Sequence, residues 1–218
     1  MKSFGGKLSV AALMVSALAG SFAVHANEIK IGVVLPLSGA LSGYGQPSQK
    51  GLEVIQSLTP KLKNGDTIKL IVIDDKSDKV EAANAMQRLV SSDKVDAVIG
   101  EVTSTNTLAM VKIADDSKTP IVSPTATNDR VTRNHPYVSR VCFSDSFQGV
   151  VGANLASRDL HAKTAAIVFD SSNDYSVGLA KAFRNQFVKN GGKIVIEVQA
   201  PTGSKDFKAQ LSSVKAKD

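Results

Sequence analysis

"VDAVIGEVTSTNTLAMVKIA" occupies residues 95–114 and changes character twice. Val95–Gly100 is an apolar, β-branched run in the manner of a buried strand, and from about Thr105 the residues have a helical pattern. Between the two lie Thr103, Ser104, Thr105, Asn106 and Thr107, consecutive side chains that all form hydrogen bonds. A strand that runs through a polar turn straight into a helix is part of a βαβ unit, so this stretch sets the expected fold class as α/β.

The same alternation continues on both sides. "IKIGVVLP" (29–36) and "TIKLIVID" (67–74) read as strands, with a helix expected over "PSQKGLEVIQSLTPKL" (47–62) between them. In "DKVEAANAMQRLVSSDK" the residues Val80, Ala83, Met86 and Leu89 recur every three positions with Val90 beside them, which predicts one apolar helix face on a core. "TPIVSP" (119–124), "TAAIVFD" (164–170) and "GKIVIEVQ" (192–199) continue the strands, and "YSVGLAKAFRNQFVKNGG" is a helix with Gly191 and Gly192 at its C-terminal end. Alternation at this spacing implies parallel sheets covered on both faces by helices.

The N-terminal "MKSFGGKLSVAALMVSALAGSFAVHANE" combines Lys2 and Lys7 with an apolar run that is short for a bilayer span, the form of a secretory signal. Val24 and Ala26 predict cleavage after Ala26, so residues 1–26 are expected to be removed and the mature chain to be exported to the periplasm. No cysteine follows that site to carry a lipid anchor. The chain has 26 basic and 20 acidic residues, a balance of +6 that falls by two without Lys2 and Lys7. The charges are interspersed and aromatics are few, which argues against nucleic acid as a partner. The single cysteine, Cys142, cannot form an internal disulfide, and its place in "YVSRVCF" predicts a small buried strand residue.

In open parallel sheets, ligands bind beyond the carboxyl ends of the strands, where loops and helix N-termini converge. Residues 101–107 lie at that edge, and "SPTATND" (123–129) forms a second hydroxyl-rich edge after the next strand. One hydroxyl, Ser104 or Thr105, is accounted for as a helix cap. The others suit a ligand: a helix start offers free N–H groups and a positive dipole end, so it can hold a carboxylate without a cationic side chain. A zwitterion carries no net charge, so hydroxyls and backbone dipoles can match it without burying ionic side chains.

At these residues the sequence resembles the leucine/isoleucine/valine-binding family of periplasmic solute-binding proteins, components of amino-acid ABC transporters. The resemblance runs in order through "IGVVLPLSGALSGYGQPSQKG", "VIDDKSD", "VIGEVTSTNTLA", "PIVSPTATN", "FQG" and "FDSSNDYSVGLAKAF". It implies the type I periplasmic-binding-protein fold: two doubly wound lobes joined by a hinge near Phe143–Asp145, the first over 27–144 and the second over 145–218. Family members continue beyond a helix like "DFKAQLSSVKAKD", so the second lobe is expected to be incomplete.

Residue by residue, the resemblance implies that Ser104 and the backbone near Val102 bind a ligand carboxylate with help from Thr127. Thr125, Ala126 and Thr127 form the segment that would take the ammonium through carbonyl and hydroxyl oxygens. Tyr175 would reach across from the second lobe, and Tyr44 would line the side-chain end. The sequence departs from well-known members at Ser77 and Thr103, which stand where those have a disulfide, and at Thr125, where some have alanine. The expected ligand is a branched-chain or related amino acid, delivered by a monomer to ABC transporter permease subunits, with no cofactor and no metal. A receptor ectodomain of the same fold, or binding of an amide such as urea, are the alternatives.

Signals for catalysis are poor. His135 and His161 have no Cys or acidic neighbours at metal-ligand spacing, and no G-x-S-x-G occurs. Gly39, Gly43 and Gly45 do not form a dinucleotide fingerprint, and Asp74 and Asp75 at a strand end are expected to anchor a loop.

Overall fold

The computed structural model describes residues 26–217. The expected leader therefore lies, Ala26 apart, outside the described residues.

Five parallel strands form the first sheet: β1 (Glu28–Leu35), β2 (Thr67–Asp74), β3 (Ala97–Gly100), β4 (Ile121–Ser123) and β5 (Val138–Arg140), in the order β2-β1-β3-β4-β5. The carboxyl half of β1 is buried throughout, as a central parallel strand must be when both sheet faces are covered. On one face Val34, Val98 and Ile121 pack with α2 (Lys79–Arg88) and α3 (Ser104–Ser117), and on the other Val33 and Leu35 pack with Leu52 of α1 (Ser42–Leu58).

The second sheet pairs β6 (Thr164–Phe169) with β7 (Lys193–Gln199), again in parallel. It is accompanied by α4 (Asp145–Asn154), α5 (Asp174–Lys189) and α6 (Lys208–Lys215). Helices α4 and α5 meet through Gly149, where an added Cβ would lie 2.5 Å from the Cβ of Ala182. The two sheets are linked through residues 141–144, and Ser144 caps α4 by accepting the Phe147 N–H. No described helix is long and apolar enough to cross a membrane.

Three local expectations are corrected. The buried face of α2 is Ala82, Ala85 and Met86, continued by Leu89, an i, i+3, i+4, i+7 stripe, while Val80 is 59% exposed. Asp78 caps the helix through the Val80 and Glu81 N–H groups, and that fixes Val80 in the first turn on the solvent side. Helix α1 begins at Ser42 rather than near Pro47, so "SGYG" is helical; Gly45 is the residue that permits it, because a Cβ there would meet the Pro36 carbonyl oxygen at 2.2 Å. Cys142 lies beyond β5 and is only half-buried, since that strand ends at Arg140.

Candidate functional site

Strands β3 and β4 are neighbours, so the turns that leave their carboxyl ends lie side by side. Each polar side chain of the first turn has its own partner. Thr103, in extended backbone, is the cap of α3 and accepts the Asn106 N–H at 3.4 Å. The cap thus falls one residue before the expected Ser104 or Thr105 and releases both of those hydroxyls. Ser104 Oγ accepts the Asn128 N–H from the second turn at 3.1 Å, and Thr105 Oγ accepts the Asp174 N–H from the second sheet's side at 3.0 Å. Asn106 Nδ2 donates to Asp75 at 3.3 Å. Thr107 is fully buried and donates to the carbonyls of Glu101 (3.0 Å) and Thr103 (2.6 Å).

The second turn is tied to the first by Thr125, which donates to the Val102 carbonyl at 2.5 Å, and by Ser123, which donates to the Glu101 carbonyl at 2.7 Å. Arg140 of β5 holds it from behind by donating to the carbonyls of Ala126 (3.1 Å) and Asn128 (2.8 Å).

In front of these turns lies a cleft of about 530 Å³, of the size that holds a small ligand. Of the expected residues, Tyr44, Val102, Ser104, Thr125, Thr127 and Tyr175 line it. Ala126 does not: it is fully buried in the first core, and its N–H is bonded to Ser123 Oγ. The opposite wall brings Phe143, Gln148, Ser172 and Asn173, which the motif reading did not assign. Gln148 donates to the Tyr175 hydroxyl at 3.0 Å and so orients it at the cleft rim. The hydroxyl and amide run "DSSND" was the available signal for this wall. The lining among the described residues consists of hydroxyl, amide and apolar side chains. A serine oxygen that accepts an N–H, as Ser104 does, keeps its own proton for an acceptor in the cleft. The first-turn N–H groups of α3 face the same edge.

A second hollow of about 380 Å³ lies between α4, α5 and β6, lined by groups such as Gly152, Ile167, Leu179 and Phe183. It lacks the converging strand ends of the first.

The acids near the cleft are structural. Asp74 anchors the β1–α1 loop by accepting from Leu37 N–H (2.9 Å), Ser38 N–H (3.1 Å) and Ser38 Oγ (2.6 Å). Slight burial opposes ionisation, but these donors and Lys76 N–H hold its carboxyl below the ordinary value. Asp75 accepts from Ser77 N–H at 2.9 Å, and Ser77 Oγ donates to the Ser38 carbonyl, so hydroxyl bonds tie this loop down. Burial raises the Asp75 carboxyl, and it raises Glu101 to about 8, with the Asp75 charge adding and the Thr103 donors opposing. Among the described residues, no group of three or more His, Cys, Asp or Glu is arranged to hold a metal ion. His135 instead pairs with Asp115 at 2.6 Å.

The family described as periplasmic binding protein matches residues 28–218, nearly all of the described chain. The chain belongs to the periplasmic binding protein family. An amino acid binding protein of Pseudomonas aeruginosa is 32% identical over 95% of this chain and 56% of its own length. A leucine binding protein from Thermotoga maritima superposes with a TM-score of 0.83 at 40% identity, covering 87% of this chain and 53% of that one. A branched-chain amino acid transporter substrate binding protein from Streptococcus pneumoniae, solved with isoleucine, gives 0.78 at 36% identity, covering 88% and 55%. The chain thus spans about half the length of the periplasmic binding proteins it matches. Its fold is theirs over that span.

Proposed function

We propose that this chain is the ligand-gripping part of an extracytoplasmic solute-binding protein that captures an amino acid, branched-chain or related, for an ABC transporter permease. The observation that carries the reading is the cleft itself, in which hydroxyls, amides and the N-terminus of α3 converge beside apolar groups. Such a lining matches the two ends of a zwitterion with dipoles and leaves an aliphatic side chain against Tyr44, Leu41 and Phe143.

In this reading Ser104 and the N–H groups opening α3 take the carboxylate. Thr125, Thr127 and nearby carbonyls take the ammonium, and Tyr175 closes from the other wall. Residues 27–144 act as the first lobe and 145–218 as part of the second. Isoleucine, the ligand of the Streptococcus pneumoniae relative, supports the ligand class. Motion of one lobe against the other about residues 143–145 would open and close the cleft, and the closed form would be what a permease meets.

Titration calorimetry of the mature chain against L-leucine, L-isoleucine, L-valine, L-phenylalanine and urea tests this. Saturable binding of at least one aliphatic amino acid is expected. Binding of urea alone, or of none of the panel, would reject the proposed ligand class.

A further inference from the structure

The ends of β2 and β3 place two acids on either side of the end of β1, out of contact with the cleft. Asp75 and Glu101 are both fully buried, and their carboxyls lie close enough for each to bear on the other's charge. Glu101 Oε2 accepts the N–H and hydroxyl of Thr103, whereas Oε1 is buried with no donor among the described residues. An oxygen so placed next to a carboxylate is where a proton belongs: as an O–H it donates to Asp75 and is no longer unmatched.

We propose that Glu101 is a positioning residue for the ligand cleft: a single proton shared between its carboxyl and that of Asp75 clamps the turn that presents Val102, Ser104 and Thr105. This rests on the reading of that turn as ligand-facing.

The surroundings favour one proton rather than none. Asp74, from the same end of β2, adds further negative charge beside Asp75. Lys76 in the following turn pairs instead with Glu81 of α2 at 3.4 Å. Helix α3 contributes only neutral groups, Thr103 and Asn106 to the carboxyls and Thr107 to the Glu101 carbonyl, and β4 contributes the Ser123 hydroxyl to that same carbonyl. Two buried like charges without a cation between them cannot both persist. The raised Glu101 carboxyl agrees with this geometry.

The turn depends on the pair at several points. Thr103 is both the partner of Glu101 and the cap of α3, and Asn106 is both capped by Thr103 and bonded to Asp75. Removing the proton sets two carboxylates against each other under that turn and loosens Thr103 first, then the Ser104 and Thr105 hydroxyls beyond it.

Hydrogen exchange of the ligand-free protein, corrected for intrinsic rates, tests the clamp between pH 6 and 9.5. Wild-type protection at the Thr103 and Asn106 amides is expected to fall above pH 8 by up to about tenfold per unit, while the Val98 and Met110 amides hold. Glu101→Gln keeps a neutral donor and acceptor in place and is expected to flatten that fall. Asp75→Asn leaves ionised Glu101 facing a neutral amide and is likewise expected to flatten the fall; a fall retained in that variant would overturn the clamp, so it decides the matter if Glu101→Gln does not fold. Affinity for L-leucine should follow the same curves. Failure to bind L-leucine at any pH would count against the ligand reading alone, because the exchange profile is measured without it. A wild-type profile that is flat, or one shared by Glu101→Gln, would overturn the clamp.

Discussion

Ser104 Oγ accepts the backbone N–H of Asn128 across 24 residues of sequence, and that one bond joins the two strand-end turns that front the cleft. Both residues are buried. In Ser104→Ala, the Asn128 N–H loses its acceptor and the cleft loses a donor. Affinity for L-leucine is expected to weaken by about 1–2 kcal/mol, and folding stability by about 1 kcal/mol. Calorimetry and urea unfolding read the two effects separately. Unchanged affinity would remove Ser104 from the site.

Thr107 is the contrasting case. Its hydroxyl is fully buried one turn further along and donates back to the carbonyls of Glu101 and Thr103. Thr107→Val keeps the volume and removes only these bonds, so stability is expected to fall by about 1–3 kcal/mol. Ligand affinity should change less than in Ser104→Ala. A larger effect on affinity than on stability would assign Thr107 to the cleft.

The residues alone do not separate these two hydroxyls, which stand three apart in one polar run; the family resemblance is what singled out Ser104. The run itself was legible, as was the order of strands and helices around it, because a strand buried on both faces must be continuously apolar. In β1, Glu28–Leu35, the apolar run Gly32–Leu35 is the half that is buried throughout. What the sequence withheld was set by contacts between distant segments. Thr103 rather than Ser104 caps α3 because Glu101 holds Thr103 from below. Helix α1 starts early because Gly45 can lie against Pro36, a tertiary fit that two glycines and Pro47 disguise as a loop. The face α2 buries is set by the packing of Ala82, Ala85, Met86 and Leu89 in the first core, which outweighs the three-residue spacing of Val80 with Ala83 and Met86. Ala126 belongs to the core for a similar reason: its N–H is claimed by Ser123 and its methyl by the first sheet.

The two walls of the cleft also meet directly. Asp174 donates its N–H to Thr105, accepts Asn128 Nδ2 at its carbonyl at 2.6 Å, and pairs with Arg130 at 2.9 Å. The ion pair is largely exposed, so Arg130→Ala is expected to change affinity by less than about 1 kcal/mol. Thr105→Val strips a partly buried N–H of its acceptor and should have the larger effect, about 1–2 kcal/mol. Calorimetry in low and high salt separates them. A strongly salt-dependent wild-type affinity that vanishes in Arg130→Ala would reverse the ranking.

Two helix glycines predict opposite signs. At Gly178 in α5, an added Cβ would lie 2.7 Å from Asn128 Nδ2, a group on the other side of the junction, and 2.9 Å from Asp145 Oδ2 at the start of α4. At Gly152 in α4, the nearest atom is a ring carbon of Phe183 at 3.6 Å, an ordinary contact. Alanine in a helix interior is favoured over glycine by about 0.5–1 kcal/mol, so Gly152→Ala should stabilise by that amount. Gly178→Ala should destabilise despite the same propensity gain and should weaken ligand binding, because it pushes α5 off the first lobe. Urea midpoints for the two variants, with calorimetry for Gly178→Ala, check the pair. A stabilising Gly178→Ala with unchanged affinity would mean that α5 does not bear on that side.

Asp145 opens α4 at the junction of the two sheets, fully buried, and neither of its carboxylate oxygens has a donor within hydrogen-bond reach among the described residues. Burial raises its carboxyl above the ordinary value of 3.8; the nearby Asp129 charge adds to this and the Arg140 charge opposes it. A carboxyl whose folded pKa is raised binds more protons in the folded than in the unfolded chain between the two values. Its contribution to stability is therefore fully present below the unfolded pKa and is lost as pH rises through the folded one. Asp75 and Glu101 act in the same direction, Glu101 up to about 8. Asp74 and Asp170, whose carboxyls are lowered, act oppositely, with stability that is lost as pH falls, but both lie near the surface, where solvent screens them. The buried acids therefore set the trend above pH 5, and stability is expected to decline from there toward pH 8. Asp145→Asn removes one titrating group without changing its shape. It also gives up the favourable charge at the N-terminus of α4, which is present only when Asp145 is ionised. Relative to wild type, the variant should gain in melting temperature as pH rises from the ordinary carboxyl value of 3.8 through the raised folded one. Thermal unfolding across that range is the measurement, and a wild-type-to-variant difference that stays constant with pH would show that Asp145 does not titrate differently on folding.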